Sequence, residues 1–503
     1  MNETFQFTGE LKKKLFIMMG IGLLGLAWVF LLSPENHYAR GWSNLLANTY
    51  FFTGISIFGM FAVAAPQLAY GGWNVLTKRI FLSMAAFVRV SGFVLVLIVV
   101  LGLLNVHTLY DHVKHVLHEN PVKEIHSTKV IFFAPVFWIS RLVAYAVLWA
   151  GFSWYMDKFF GRTDQTDPKV YKNSKLLAAA FIVTFAVTES AAAWDYIMSL
   201  DIHWYSTLFG WYNFASYGCA AWAMTILIVI YLKSKGYMER LNENHVHDLG
   251  KLLFGFSIFW TYLWFDQFML QWFANMPEET NFWVKRFNEP YFKFTVFAAL
   301  IVNFLFPLFF LIKRGAKRNF KMIGFGAALL IFGHYVDFFN FTFFESGRAA
   351  SAHHAPAGEH HAQANTEKVV LYAQHNEHPA AATDATPAHE NREEVAVEVK
   401  DAAHANPGTE VKKEETVHTE GGKGEEHENA VHGHEGAIVA EHGHGHEAAV
   451  TNYSAIGIGE ILVFIGFLGA FLYAFFLNLA KRPIIPENDP YLKEAEKLQV
   501  VYS

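Results

Sequence analysis

Long apolar runs, separated by short polar segments, dominate the chain. A membrane-spanning α-helix needs about 20 predominantly apolar residues to cross the hydrocarbon core. Ten runs approach or exceed that length, and each predicts one transmembrane helix. They occupy residues 15–32, 43–70, 80–106, 131–156, 176–194, 206–232, 249–273, 293–312, 320–344 and 455–480. The pattern therefore predicts an all-α membrane protein with about ten transmembrane helices.

One long segment breaks this pattern. Residues 346–452 hold 15 of the 25 histidines and a single aromatic residue, Tyr372. They contain too few apolar groups to offset the entropy of ordering them, so we expect disorder. Their composition favours a low-complexity linker, and the alternative is that their His-Gly-His runs capture zinc or copper. The predicted division is helices one to nine at 1–345, the insertion at 346–452, and helix ten with a tail at 453–503.

The Lys and Arg residues of the short connections fall mainly on one side of the membrane. Segments on that side carry 21 of them, and segments on the other side carry six. Because cytoplasmic loops are enriched in Lys and Arg, both termini are predicted to be cytoplasmic. The insertion, which joins spans nine and ten, then lies on the outer side.

The chain contains one cysteine, Cys219, among its 503 residues. This excludes an internal disulfide, a four-Cys iron–sulfur site and a C-x-x-C-H haem attachment. A haem b between facing histidines is also not expected, since His334 is the one histidine well inside a span. Any redox centre that the protein serves should therefore lie on another chain or be a diffusible molecule.

Ionisable residues interrupt several apolar runs. Each costs at least about 2.5–3.5 kcal/mol at the centre of a bilayer, so each should have a partner or a function. His334 lies three residues before Asp337, which places both on one helical face. The full set within the spans is Arg89, Arg141, Glu189, Asp266, His334 and Asp337, and Glu460 opens span ten. By position along their spans, the residues predicted at similar depth in the outer half are Glu189, Asp266, His334 and Asp337.

These groups suit three functions: a quinol pocket in which a carboxylate or His accepts a hydroxyl proton, a proton route, or a transporter substrate site. The structural alternative is that the arginines and acids form buried pairs that hold helices together. His203 lies in an outer loop near Asp195 and Asp201. It is equally well explained as a solvated loop residue or as part of a site.

Two stretches carry a family resemblance, and a third element supports it. They are WDYIMSLDIHWYSTLFG at 194–210, FDQFMLQWFANMPEET at 265–280, and HYVD at 334–337. The chain resembles the NrfD-like membrane subunits of alternative complex III, a bacterial quinol:cytochrome c oxidoreductase. The resemblance extends over all ten predicted helices and leaves out the insertion. Its details favour the ActF type of subunit over the ActC type.

The resemblance implies two four-helix bundles from spans two to nine, with two peripheral helices. It implies a bacterial inner-membrane location, with the insertion in the periplasm, and partners that carry multihaem cytochrome c and iron–sulfur centres beside a sister NrfD-like subunit. Lipids, and menaquinone or ubiquinone, are the expected non-covalent ligands. No covalently bound cofactor, catalytic residue, metal site or nucleic-acid partner is predicted for this chain.

Within that expectation, the chain contributes a quinone-binding or proton-conducting path and a docking surface. Asp266, His334 and Asp337 are the predicted central protonatable set, and Glu189 continues it. Arg89 and Arg141 are the expected electrostatic partners, and a further pair of path candidates is Asp195 and His203. A secondary transporter and a purely structural scaffold are the competing functions; a transporter would favour Gly- or Pro-broken helices in paired positions.

Overall fold

The computed structural model describes residues 4–31, 38–111, 113, 127–162, 167–201, 204–354, 456–487 and 489–497. These residues are helical apart from turns and short connections, with one isolated bridge between Thr4 and Pro483. The expected all-α membrane fold is confirmed. The predicted disorder of 346–452 lies outside the described residues from residue 355 onward.

Ten long helical segments follow one another along the described chain. Among the described residues, nine of these ten segments are long and apolar enough to cross a membrane, and α7 is the exception. The segments are α1 Gly9–Leu31, α2 Ala39–Leu68, α3 Val75–Leu103, α4 Pro135–Arg162, α5 Pro168–Tyr196, α6 Leu208–Ser234, α7 Glu243–Ala274, α8 Pro290–Phe310, α9 Phe320–His354 and α10 Ile458–Leu479. Short helices lie at Ser127–Phe132, Met198–Leu200, Pro277–Asn288, Arg314–Arg318 and Leu492–Glu496.

The helix α7 covers the predicted span 249–273 and has 32 residues. Its length would cross a bilayer with residues to spare. Its most apolar stretch has a lower mean hydropathy than those of the other nine, because Trp, Tyr, Thr, Asp and Gln side chains occur in its second half. The structure therefore has ten long helices in the predicted order, of which α7 is the candidate span of lowest hydropathy.

Two of the long segments are interrupted. The segment α3 consists of Val75–Thr77, Lys78–Met84 and Val88–Leu103, with a turn before the last piece. The segment α8 contains a π-helical stretch at Ile301–Leu305, just before Pro307. A proline cannot donate to the helical ladder, and a wider turn beside it is a common way to accommodate this loss.

The helices pack as two four-helix bundles and one peripheral pair. The first bundle contains α2, α3, α4 and α5, and the second contains α6, α7, α8 and α9. The bundles meet along α2 of the first and α6 of the second. The helix α2 packs against α9, and α6 packs against α5. The peripheral pair is α1 with α10, which approach so closely that a Cβ at Gly22 would meet the backbone of Gly466. This is the arrangement that the resemblance implies.

Burial differs strongly among the helices. The helices α2 and α6 are buried along most of their length, whereas α1 and α4 present many side chains outward. Polar groups on the inner faces of α6 and α9 are therefore shielded from lipid by neighbouring helices. A site built from those faces lies in the interior of the second bundle.

Candidate functional site

Asp337 of α9 is the centre of a buried polar cluster in the second bundle. Its carboxylate accepts a hydrogen bond from the Tyr212 hydroxyl at 2.5 Å and another from Trp260 Nε1 at 3.1 Å. The Ser216 hydroxyl lies 3.3 Å from the second carboxylate oxygen. Tyr212 and Ser216 are four residues apart on α6, so both point at α9 from one face. Trp260 reaches the same carboxylate from α7.

His334 lies in the same cluster, one helical turn before Asp337. Its Nδ1 is 3.0 Å from the Ser216 hydroxyl, so Ser216 links the imidazole to the carboxylate. The Trp260 ring meets the imidazole edge-to-face, with centroids 5.3 Å apart. The other ring nitrogen, Nε2, is buried and has no hydrogen-bond partner among the described residues. The shared face expected from the three-residue spacing is therefore present.

The charge environment of Asp337 decides what this cluster can do. The residue is 5% exposed, and no Lys or Arg of the described chain forms an ion pair with it. A buried ionised carboxylate is costly without a countercharge, and neutral donors offset only part of that cost. The group can therefore be accommodated with or without its proton, which is the property needed for proton exchange.

A small, partly enclosed cleft borders Asp337 in the second bundle. It lies among α7, α8, α9 and the connecting helix Pro277–Asn288, and its enclosed part has room for about one water molecule. The lining residues are Trp264, Trp283, Arg286, Phe292, Val296, Asp337, Asn340 and Phe341. Water or a proton carrier of similar size could thus approach the carboxylate, whereas a quinone ring would not fit inside this conformation.

The connecting helix is fixed over the cleft by aromatic side chains. Trp283 Nε1 donates to Gln271 Oε1 at 2.6 Å, and Trp204 Nε1 donates to the same oxygen at 3.3 Å. The Trp204 ring stacks on Phe282 with centroids 3.9 Å apart. The two long sequence stretches that carry the family resemblance therefore meet at Gln271 and Trp204, and together they position one wall of the cleft.

Sequence reasoning missed Arg286, which it counted only as a loop charge. The residue is 3% exposed and lines the cleft together with Asp337. Its guanidinium lies over the rings of Phe282, at 3.4 Å from the centroid, and Phe344, at 4.4 Å. The sequence did contain a signal for it. Pro277 favours the start of a helix. On such a helix, Trp283 and Arg286 are three residues apart and lie on one face.

Asp195 and Arg141 form a buried pair in the first bundle. Arg141 Nε and Nη2 lie 2.9 and 2.6 Å from the two carboxylate oxygens, a bidentate geometry. The Tyr145 hydroxyl donates to the same carboxylate at 3.0 Å. Arg141 also lies over the Phe132 ring and donates to the Phe132 carbonyl. This compensated pair supports a structural role that joins α4 to the end of α5.

Glu189 of α5 occupies a separate buried position. One of its oxygens accepts from the Ser190 hydroxyl at 3.2 Å, and the other has no hydrogen-bond partner in the described structure. Tyr217 of α6 is close enough to interact with it electrostatically, although the two groups do not have hydrogen-bond geometry. Tyr217 belongs to α6, which also carries the Ser216 of the Asp337 cluster. Glu189 is thus a second buried carboxylate without a described cation partner.

Arg89 lies away from the Asp337 cluster and interacts with a residue that the sequence reasoning did not select. Its guanidinium donates to Ser153 and lies 3.7 Å from Asp157. Asp157 also contacts Arg79 and Arg482. The structure therefore pairs Arg89 with the end of α4, and the expected partnership with the acids of the outer half is not observed.

Asp266 is not part of the buried cluster. The inward positions of α7 include Trp260, Leu263 and Gln267, and Asp266 is turned about 100° from its neighbour Gln267. It is partly exposed and has no hydrogen bond or ion pair with any residue that the structure describes. The predicted central set thus separates into the joined His334 and Asp337 and the isolated Asp266. His203 lies outside the described residues.

These features define a multi-pass all-α membrane protein with a buried carboxylate that is held by neutral donors. Among the described residues, no group of three or more His, Cys, Asp or Glu side chains is arranged to hold a metal ion. No protein-family model matches the chain, and no curated protein is similar to it.

Proposed function

We propose that this chain is the proton-exchanging membrane subunit of a quinol:cytochrome c oxidoreductase of the alternative complex III kind. The observation that carries the proposal is Asp337, a buried carboxylate of the second bundle that is bonded to Tyr212, Trp260 and Ser216 and has no ion-pair partner among the described residues. A buried group that can gain and lose a proton inside a membrane is a functional site by default. The sequence resemblance supplies the type of complex.

The cluster would work by passing a proton between the cleft and the interior. A water molecule in the cleft delivers or removes the proton at the Asp337 carboxylate. Ser216 relays it between Asp337 and His334 Nδ1, because the hydroxyl reaches both groups. His334 Nε2, which has no hydrogen-bond partner in the described ranges, is then the next exit or entry point for the proton. The order of these steps follows the hydrogen-bonded atoms, and its direction is set by partner subunits.

A quinone does not fit the enclosed part of the cleft, which has room for about one water molecule. We therefore assign quinol oxidation to a sister NrfD-like subunit and electron transfer to partners with haem and iron–sulfur centres. The single cysteine of this chain, Cys219, is consistent with that division. In this proposal the chain lies in a bacterial inner membrane with both termini in the cytoplasm and the His-rich insertion in the periplasm.

The first test is purification through a tag on this chain, followed by a visible spectrum and a quinol-to-cytochrome c assay. Co-purifying haem and quinol oxidation are expected. A preparation that contains this chain without haem-bearing partners would contradict the assignment to the complex.

The second test compares two carboxylate variants in the reconstituted complex. Asp337→Asn should reduce proton-coupled turnover about 10²-fold, the size of an ordinary acid–base contribution. Asp266→Asn is the matched variant on a partly exposed carboxylate outside the cluster, and it should have a much smaller effect. The measurement is proton release per quinol in proteoliposomes. A large loss in Asp266→Asn with normal release in Asp337→Asn would reverse the assignment.

A secondary transporter is the second candidate, because α3 and α8 are interrupted within their spans. Transporters of that kind place broken helices at corresponding positions of two repeats. Here α3 is the second helix of its bundle and α8 is the third of its own, so the positions do not correspond. The spectrum of the purified protein also separates these candidates, since a transporter does not require haem-bearing partners.

A further inference from the structure

Three arginine side chains converge on one carboxylate where the first bundle meets α10. Arg79 Nη1 lies 2.9 Å from one oxygen of Asp157, and Arg482 Nη1 lies 3.7 Å from the same oxygen. Arg89 Nη2 lies 3.7 Å from the other oxygen. Arg482 also donates to the Asp157 carbonyl. Three positive charges thus surround one acidic side chain.

The cluster carries an excess of positive charge within the described structure. Asp157 is the one acid that forms an ion pair with any of the three arginines there. The remaining contacts of the guanidinium groups are neutral: Arg89 donates to Ser153, and Arg79 Nη2 lies 3.4 Å from the Asn478 carbonyl. Like charges at this spacing repel each other, so a second anion would stabilise the group.

One donor of this cluster has no partner in the part of the chain that the structure describes. Arg79 is 2% exposed, and its Nε has no hydrogen-bond partner among the described residues. A buried guanidinium N–H without an acceptor is destabilising, because the group has lost its hydrogen bonds to water without replacing them. The unsatisfied donor and the excess charge are independent observations, and both indicate a missing acceptor of negative charge.

The location of the cluster suits a ligand at the membrane surface. Asp157 lies near the end of α4, and Arg482 lies three residues after α10 ends. The side chains of Arg89 and Arg482 are 24% and 15% exposed, so a ligand can reach them. Val90, next to Arg89 on α3, and Trp154, three residues before Asp157 on α4, are exposed apolar side chains. An acyl chain could lie along these side chains while its headgroup is near the arginines.

We propose that Arg79, Arg89 and Arg482 form a binding site for a phosphate group. Planar guanidinium groups bind phosphate oxygens through paired N–H donors. Basic pockets between transmembrane helices on the cytoplasmic side are typical sites for anionic lipid headgroups. Either an anionic phospholipid or a free phosphate ion supplies the required chemistry. The site is independent of the proposed proton exchange, because none of its residues belongs to the Asp337 cluster.

The test measures stabilisation of the full-length protein, purified from membranes in detergent with its co-purifying subunits. The melting temperature is followed during titration with dioleoylphosphatidylglycerol, with zwitterionic dioleoylphosphatidylcholine, and with sodium phosphate at constant ionic strength. Phosphatidylglycerol should raise the melting temperature in a saturable way, and phosphatidylcholine should not. A saturable response to sodium phosphate alone would identify the free ion as the source of the phosphate group.

Variants distinguish a ligand site from a purely structural cluster. Arg482→Gln and Arg89→Gln should each raise the ligand concentration for half-maximal stabilisation at least about fivefold, the loss expected for one basic residue. Lys313→Gln, at an exposed lysine on the same predicted side, is the matched control and should leave the titration unchanged. Asp157→Asn should strengthen binding, because it removes the competing carboxylate.

Two results would overturn the proposal. One is the absence of a saturable response to either phosphate source in the unmodified protein. The other is a response that persists unchanged in both arginine variants. In each case the arginines would serve only to join α3, α4 and α10. The titration midpoint, rather than the basal melting temperature, is the deciding quantity, since loss of an ion pair lowers basal stability under either explanation.

Discussion

The buried carboxylates have different partners in the two four-helix bundles. In the first bundle, Asp157 contacts three arginines and Asp195 forms a bidentate pair with Arg141. In the second bundle, Asp337 accepts hydrogen bonds from Tyr212, Trp260 and Ser216, and no cation of the described chain pairs with it. Burial is similar in both places, so the difference lies in the partners.

This difference distinguishes carboxylates that stay ionised from carboxylates that can gain and lose a proton. A carboxylate beside a guanidinium is held in its ionised form, because protonation would leave the cation unpaired. A carboxylate among neutral donors gains less from ionisation, so it can change its protonation state at a smaller cost. Glu189 does not follow this division. It lies in the first bundle, yet it has the neutral environment typical of the second.

The largest expected loss of stability is at the ion pair of Arg141 and Asp195. Arg141→Gln should lower the free energy of unfolding by about 3–5 kcal/mol, because it leaves Asp195 buried without its cation. The same change also removes the contact of the guanidinium with the Phe132 ring. Thermal unfolding in detergent, together with the yield of assembled protein, measures the loss.

The double variant Arg141→Gln with Asp195→Asn is the control for this prediction. It removes both charges, so much of the stability lost in Arg141→Gln should return. Equal destabilisation in the single and double variants would show that packing, and not the unpaired carboxylate, causes the loss. The comparison between the bundles would then lose its electrostatic basis.

The matched change in the second bundle should cost less. Asp337→Asn removes a carboxylate that pairs with no cation of the described residues. The expected loss is therefore about 1–2 kcal/mol, because hydrogen-bond donors then face the amide nitrogen. The measurement is the same unfolding experiment, with Asp195→Asn alone alongside it. A loss in Asp337→Asn as large as that in Asp195→Asn would indicate a cation partner for Asp337 in the assembled protein.

A smaller effect is expected at the hydroxyl that bonds to Asp337. Tyr212→Phe removes one of three donors and leaves the aromatic packing in place, so we expect a loss of about 1 kcal/mol. If Asp337 exchanges protons, the same variant should also shift the pH dependence of proton release toward higher pH, since the ionised form loses a donor. Stability loss without any change in the pH profile would favour a structural carboxylate.

Much of the fold could be predicted from the pattern of apolar runs. The ten runs correspond to the ten long helices, because helix length is dictated by the thickness of the hydrocarbon core. The interruption in α3 was not predicted. The turn before Val88, at 85–87, lies among apolar residues and has no Pro or Gly signal in the sequence.

The site could be predicted only in part. The spacing of His334 and Asp337 placed them on one face, which is a local property of a helix. Their partners Tyr212, Ser216 and Trp260 come from two other helices, and one sequence does not give the rotation of those helices. The same limit explains Asp266: its depth along α7 could be counted, whereas its direction around the helix axis depended on packing.

The smallest expected effect concerns a histidine whose environment contrasts with that of His334. His245 lies in the first turn of α7, before the predicted span at 249–273, where its Nδ1 is 3.2 Å from the Asn242 backbone N–H. Its Nε2 lies 2.8 Å from the Ala495 carbonyl, which joins α7 to the C-terminal helix. Nε2 donates to the carbonyl, so in the neutral imidazole Nδ1 accepts from the Asn242 N–H.

Burial lowers the pKa of His245 below its usual value of 6.5. A lowered folded pKa means that the unfolded chain binds the proton more readily, so the stabilisation is complete above pH 6.5 and declines as the pH falls toward the folded pKa. His245→Gln should therefore cost up to about 1 kcal/mol at pH 7.5, the scale of a helix cap, and less at pH 5.5. The difference between the two proteins at each pH cancels the titration of the other histidines. A difference that is constant between the two pH values would show that the contacts of His245 do not depend on its protonation.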